Sequence, residues 1–195
     1  MTIEINRNAI VTSKNPDRKI LSIIKDLLYI LPECTFFKKK NWKLKQILSY
    51  LKLRNYKNFL FIKKEKQNAT ILWHINFDSN SSIIYRIISF LPKENISNNS
   101  ARSSCIPELV FKDFNGNIGK AMSFFLKSLF SGTPSFKSRQ IISFHLHQKY
   151  IFLRFFRYIF SISGQDVRLQ EIGPRFTLKF YKIYKSIPEY FFFDQ

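Results

Sequence analysis

From Tyr150 to Phe160 two sets of large side chains alternate, Tyr150, Phe152, Phe156 and Tyr158 against Ile151, Leu153, Phe155 and Ile159. A period of two is that of an extended strand, which sends successive side chains to opposite faces of a sheet. Arg154 and Arg157 then fall on opposite faces, so at least one needs a partner, a route to solvent or a bulge. Gln140 to His147, Asp166 to Ile172 and Arg175 to Tyr184 also read as strands, so this part of the chain is committed to a sheet. In the last run, Phe176, Leu178 and Phe180 form an apolar face. Arg175, Thr177, Lys179 and Tyr181 form the other, which is basic and aromatic. Such a face suits irregular or single-stranded RNA, because cations pair with phosphates and rings stack on unpaired bases.

Upstream the period changes. Ile20, Ile23, Ile24, Leu27, Leu28 and Leu31 recur at helical spacing and predict a helix from Asp17 to Leu31, capped by Asn15 with Pro16 in its first turn. A second helix is expected from Asn41, as its cap, to Leu53, with Leu44, Ile47, Leu48 and Leu51 inward and Lys43, Lys45 and Lys52 outward. Strands are expected at Ala9–Thr12, Asn58–Lys63, Thr70–Phe77 and Ser82–Leu91, and a short one around Leu109–Phe111. A third helix is expected from Asn117 to Phe130, stopped by Gly132 and Pro134. The Ser- and Asn-rich segment 92–106 has no hydrophobic period and reads as a linker. The expected architecture is α/β (α+β). One domain over 1–195 comprises an N-terminal half (1–91), the linker (92–106) and a C-terminal half (107–195), each half a mostly antiparallel or mixed sheet packed with one or two helices.

Thirty-two Lys and Arg residues against 13 Asp and Glu give a net charge of +19, far beyond what solubility needs, and point to a polyanionic partner. The excess is spread over both halves. A coding bias towards Lys, Ile, Phe and Asn offers a competing account of part of it. Cys34 and Cys105 lie far apart without metal-ligand spacing, so no disulfide framework or structural zinc is expected, and a reducing compartment fits best. The longest apolar stretch, Ile20 to Leu31, is interrupted by Lys25 and Asp26, and Met1 to Asn15 has no apolar core of a secretory signal. No membrane partner is expected.

Little here points to catalysis. Gly116-Asn117-Ile118-Gly119-Lys120 has the glycines and lysine of a phosphate loop, but Phe114 stands at the first glycine position and Ala121 where magnesium needs Ser or Thr. A helix-entry turn is the better reading. His145 and His147 share a strand face with Ser143 but lack an acidic or Cys ligand at useful spacing, and His74 between Trp73 and Ile75 reads as structural. No metal, cofactor, small-molecule substrate or catalytic residue is expected.

Val167-Arg168-Leu169-Gln170-Glu171-Ile172-Gly173-Pro174-Arg175-Phe176-Thr177-Leu178-Lys179 closely resembles the hallmark near the end of Brix domains. Arg139–His145 and Tyr150–Phe160 are similar to a strand pair of the ribosome production factor 1 branch of that superfamily, and Thr12-Ser13-Lys14-Asn15-Pro16 to the domain's opening Thr-Ser-Arg-Lys-Pro. Pro107-Glu108-Leu109, Gly119-Lys120 and Ser128-Leu129-Phe130 follow in order. The resemblance implies a domain of two related halves that binds RNA without catalysis, in the nucleolus, on precursor rRNA of the large ribosomal subunit, beside pre-ribosomal assembly proteins and one dedicated protein partner. RNA contacts are expected at Arg175, Lys179, Thr177, Tyr181, Arg157, Arg154, Arg168, Arg139 and Lys14. A structural protein retained in the mature ribosome is the alternative. Departures are Lys14-Asn15 for the opening Arg-Lys, Phe155-Phe156 for histidines common in the branch, and Tyr184-Lys185-Ser186 for the usual Gln-Lys-Gly. The chain also reads as a pared-down member, without the extensions typical of the branch.

Overall fold

A computed structural model describes residues 7–65, 69–97, 103, 105–130, 132–161 and 166–188. Ten strands and three α-helices follow one another as β1 (Arg7–Thr12), α1 (Arg18–Ile30), β2 (Cys34–Phe37), α2 (Leu44–Leu53), β3 (Tyr56–Lys64), β4 (Thr70–Asn76), β5 (Ser81–Leu91), β6 (Glu108–Lys112), α3 (Gly116–Ser128), β7 (Gln140–His147), β8 (Tyr150–Phe160), β9 (Val167–Glu171) and β10 (Arg175–Tyr184). All strands join one mixed sheet in the order β2-β1-β3-β4-β5-β10-β8-β7-β6, with β9 also on β8. β1 runs parallel to β2 and β3, and β6 parallel to β7, while the other pairs are antiparallel.

The topology repeats. β1-α1-β3-β4-β5 and β6-α3-β7-β8-β10 each place a helix between parallel strands and add two antiparallel ones. The repeats meet where β5 pairs with β10. β2 and α2 form an insertion between α1 and β3 without a counterpart among the described residues between α3 and β7, and β9, between β8 and β10, has none between β4 and β5.

The insertion makes the two faces of the sheet unequal. On one face α1 and α3 share a core, with Ile20, Ile23 and Leu27 of α1 and Met122, Phe125 and Leu126 of α3 against Leu60, Tyr85, Phe144, Leu153, Phe155 and Phe176. Each such side chain, fully buried, contributes about 1.5–3 kcal/mol. On the other face α2 buries Leu44, Ile47, Leu48 and Leu51 against Ala9, Val11, Phe59, Phe61 and Trp73. That second core lies on the first repeat, and none of the three helices covers the same face of β8, β7 and β6.

A buried polar knot ties α3 to the first repeat. Asn58 Oδ1 accepts from Asn76 Nδ2 (3.0 Å) and Ser128 Oγ (2.8 Å) and lies 3.0 Å from His74 Nε2. Asn58 Nδ2 donates to Asn8 Oδ1 (2.9 Å) and the Ser128 carbonyl (2.7 Å), while Asn8 Nδ2 donates to the carbonyls of Leu129 and Pro32, each at 2.9 Å. The last carbonyls of a helix have no intrahelical donors, so two asparagines from the other repeat supply them.

Local differences from the sequence reading have physical causes. Asp17, not Asn15, caps α1, since its carboxylate accepts from the Ile20 N–H at 2.8 Å and is held below its ordinary pKa chiefly by that bond. α2 starts at Leu44 behind Lys43, not at Asn41, with the Lys43 N–H donating to Gln46 Oε1. β2, four residues on the sheet edge, was not anticipated. Segment 92–106 is anchored at its start. The Lys93 N–H donates to Asp26 Oδ2 (3.0 Å), its ammonium sits 3.9 Å from the Tyr29 ring centroid, and Ile96 is buried. Residues 98–102 and 104 of that segment lie outside the described residues, as do 1–6 and 189–195.

Candidate nucleic-acid interface

The uncovered face is ordered by strand register. Residues directly opposed across neighbouring strands point to the same side, which gives a row Arg86–Lys179–Tyr150–His147 and a row Ser89–Thr177–Phe152–His145–Lys112. Arg154 opposes Ser143 and Val110 in a third row. Tyr150, Phe152, Arg154, Thr177 and Lys179 are half-buried, as expected of an open sheet surface. The surface carries aromatic rings and cations side by side.

Two cations stand directly opposite each other. Lys179 of β10 pairs in register with Arg86 of β5, and no carboxylate among the described residues pairs with either. Like charges so placed are destabilising by about 0.2–1 kcal/mol. The Lys179 ammonium lies 5.4 Å from the Tyr150 ring centroid, a cation–π contact that offsets part of this.

Arg154 satisfies its guanidinium on backbone. Nη1 donates to the carbonyls of Leu153 (2.9 Å) and Phe176 (3.3 Å), and burial, more than the nearby charges, lowers its pKa. Arg175, exposed at the start of β10, makes a two-pronged ion pair in which Nε and Nη2 donate to Glu171 Oε1 and Oε2, both at 2.7 Å. That carboxylate raises the Arg175 pKa and competes with any phosphate for the guanidinium. Between them the chain turns at Gly173-Pro174, a cis peptide. Gly173 has φ +63°, and a Cβ there would fall 2.3 Å from Ile96 Cδ1.

The structure thus brings Arg154, Arg175, Thr177 and Lys179 together. Tyr181 departs from them: it is the extra residue where the β10–β5 register shifts between Phe180 and Lys182, so Lys182 and Tyr184 continue the Lys179 side and Tyr184 stacks 6.2 Å from Trp73. Arg139 and Arg157 form a second basic cluster, lining a shallow pocket of about 380 Å³ with Lys137, Ser138 and Tyr158. Arg139 has φ 51° and stands over the Phe160 ring at 5.6 Å. Arg168 is exposed on β9 opposite Ile159, and Lys14 is exposed on the β1–α1 loop, apart from the other candidates. Arg86, Glu171 and Lys137 were missed. Only the register between distant strands reveals Arg86 and only the turn at Gly173-Pro174 reveals Glu171, while Lys137 lies two residues before Arg139 at the same pocket.

Gly119 at the α3 entry packs so closely on Phe114 that a Cβ would meet its carbonyl carbon at 2.6 Å, the geometry of a helix-entry turn. His145 Nε2 lies 2.9 Å from Asp113 Oδ2. Among the described residues no three His, Cys, Asp or Glu gather as a metal site, and no helix is long and apolar enough to cross a membrane. Burial leaves His74 with a pKa near 3 and pushes the Cys34 thiol up to about 12.

Comparison with known proteins agrees with this architecture. The Brix domain model matches residues 13–182. Ribosome production factor 1 of Saccharomyces cerevisiae is 31% identical over 181 residues, covering 92% of this chain and 61% of the relative. The Rattus norvegicus protein of that name is 30% identical over 180 residues, covering 91% and 51%. The chain therefore spans between half and two thirds of the length of these relatives. Among solved structures, a probable ribosomal biogenesis protein from Aeropyrum pernix K1 has a TM-score of 0.59 at 13% identity, covering 90% of this chain and 96% of that one. The archaeal Imp4-like protein Mil (Mth680) has a TM-score of 0.54 at 9% identity, with 91% and 99% covered. At that identity they speak for the fold alone. With hallmark, topology and family match in agreement from Ser13 to Lys182, the chain belongs to the Brix-domain family.

Proposed function

We propose that this protein is a non-catalytic assembly factor of ribosome biogenesis that binds precursor rRNA of the large subunit through the uncovered face of β10, β8 and β7. The observation that carries the reading is the opposed pair Arg86–Lys179, set beside Tyr150, Phe152 and Arg154 where the sheet face beyond α2 is left open. A folded protein gains nothing by facing two cations on an open sheet, whereas a phosphate between them turns repulsion into attraction. The names of the yeast and rat relatives support work on ribosome production. Action in the nucleolus, with pre-ribosomal assembly proteins and one dedicated protein partner, is part of the same proposal.

The test is fluorescence anisotropy with fragments of large-subunit precursor rRNA over a series of salt concentrations. Each phosphate neutralised contributes about 0.9 to the slope of log affinity against log salt for a duplex and about 0.7 for a single strand. Replacing both Arg86 and Lys179 with Ala should lower the slope by roughly 1.5–2. Binding that is absent or insensitive to salt overturns the reading. In cells the protein should travel with precursor particles of the large subunit and be missing from mature ones.

A further inference from the structure

The face of α2 turned away from the core is an exposed aromatic surface in an unusually basic setting. Between Glu33 and Glu65 the chain has ten Lys or Arg residues and no acidic one. Here Trp42 is 53% exposed and Tyr50 is 39% exposed, their ring centroids 6.3 Å apart and nearly perpendicular. Phe37 props Tyr50 from below at 6.4 Å and leans on Tyr56 at 5.7 Å, so the exposed rings rest on an aromatic stack. The Arg54 guanidinium sits 5.7 Å from the Tyr50 centroid. Trp42, Lys43, Lys45, Tyr50 and Leu53 line an open groove of about 560 Å³. No carboxylate among the described residues pairs with Lys43, Lys45 or Arg54.

α2 packs on the same face of the sheet that carries Arg86 and Lys179. Tyr50 rests on Phe37 of β2, which lies five strand spacings from β10, roughly 24 Å. A strand of a few nucleotides spans that distance. Protein-binding hot spots are depleted in lysine, whereas lysines around exposed rings are what a single-stranded nucleic acid uses, phosphates on the cations and bases on the rings.

We propose that the α2 groove is a second RNA site, which takes one or two unpaired bases against Trp42 and Tyr50 while Lys43, Lys45 and Arg54 meet the flanking phosphates. The proposal rests on the RNA-binding reading above and adds a stacking contact to its phosphate contacts. It also gives the inserted α2 a task beyond covering the first repeat.

The protein contains its own reporter, because Trp42 and the buried Trp73 are its only tryptophans. A 12-nucleotide oligouridylate titrated into the full chain should quench tryptophan emission. An abasic oligomer of equal length and charge should bind without quenching. Trp42→Leu, a substitution at an exposed position, should abolish the quenching and weaken oligouridylate binding roughly 5- to 100-fold, the range of one stacked base. It should leave binding of the abasic oligomer unchanged. Lys43→Glu with Lys45→Glu keeps the reporter and should remove most of the quenching. Oligouridylate that binds with steep salt dependence but leaves the emission unchanged, and binds Trp42→Leu as tightly, overturns the groove and leaves the RNA-binding reading standing. Equal quenching by the abasic oligomer also overturns it. Failure of both oligomers and of rRNA fragments to bind overturns both.

Discussion

Replacing Asn58 with Ala should destabilise the fold by about 3–5 kcal/mol, the scale of orphaning several buried polar groups at once. The carboxamide serves five partners, and they do not lose equally. Ser128 Oγ keeps a second acceptor, the Phe125 carbonyl at 2.8 Å. His74 Nε2, Asn76 Nδ2, Asn8 Oδ1 and the Ser128 carbonyl each lose the bond described above. An orphaned buried group costs about 1–3 kcal/mol, and a water entering the vacated space recovers part of that. Against a typical total of about 5–15 kcal/mol the loss is large. Urea unfolding followed by far-ultraviolet circular dichroism should show the midpoint falling by about 1–2 M, given a slope of about 2–3 kcal/mol per M for a chain of this size. Ser128→Ala, which removes one donor and leaves the Asn58 carbonyl oxygen two others, should lose less than about 1.5 kcal/mol. An Asn58→Ala protein within about 1 kcal/mol of wild type would refute the claim that this knot holds α3 to the first repeat.

Three further outcomes follow from single residues. His74 is neutral in the fold, with a pKa near 3 set by burial against an ordinary 6.5, so unfolding takes up a proton below about pH 6.5. Its stabilising share is complete above that pH and falls by up to about 1.4 kcal/mol per unit as pH drops towards 3; between pH 7 and pH 5 the unfolding free energy should fall by about 2 kcal/mol more in wild type than in His74→Gln. Gly173→Ala puts a side chain at positive φ and into Ile96, so urea unfolding should show a loss of roughly 2–4 kcal/mol, while Gly116→Ala, where φ is +70° but nothing lies within 4 Å of the Cβ, should lose only about 1 kcal/mol. Glu171→Gln releases the Arg175 guanidinium and removes a negative charge beside it; rRNA affinity in the salt titration should rise about three- to tenfold while stability falls by under about 1 kcal/mol, and unchanged affinity would take Arg175 off the contact surface.

The parts of this fold that could be read in the sequence are those governed by local periodicity. Ile20, Ile23, Ile24 and Leu27 announce α1, and the alternation from Tyr150 to Phe160 announces β8, because each pattern repeats often enough to outweigh its neighbours. The cap of α1 lies two residues later than expected, since Asn15 and Asp17 are equally good caps by residue type and only the bond to Ile20 chooses between them. β2 was missed because Cys34–Phe37 is too short to show a period and is held by pairing with β1. At the candidate interface, alternation correctly grouped Arg175, Thr177 and Lys179 but carried Tyr181 with them, since a bulge has no signature within its own strand. Arg86 was unreadable for a related reason: its place opposite Lys179 depends on the pairing of residues more than ninety positions apart. Trp42, just ahead of α2, and Tyr50 on its outward side were the legible features that went unused, eight residues apart in a run without a single acid.

β10, the last described strand in the sequence, lies in the middle of the sheet. During synthesis the first repeat emerges with β5 as an open edge, and roughly eighty residues must follow before its neighbour appears, several seconds at about 5–20 residues per second. Until then β5 and β8 both offer unpaired backbone to other chains, a hazard of open edges. The row from Arg86 to His147 does not exist in any shorter nascent chain, because its central member, Lys179, arrives with the closing strand. The row proposed to bind RNA is therefore assembled only when β10 closes the sheet, whereas the α2 groove already stands in the first repeat.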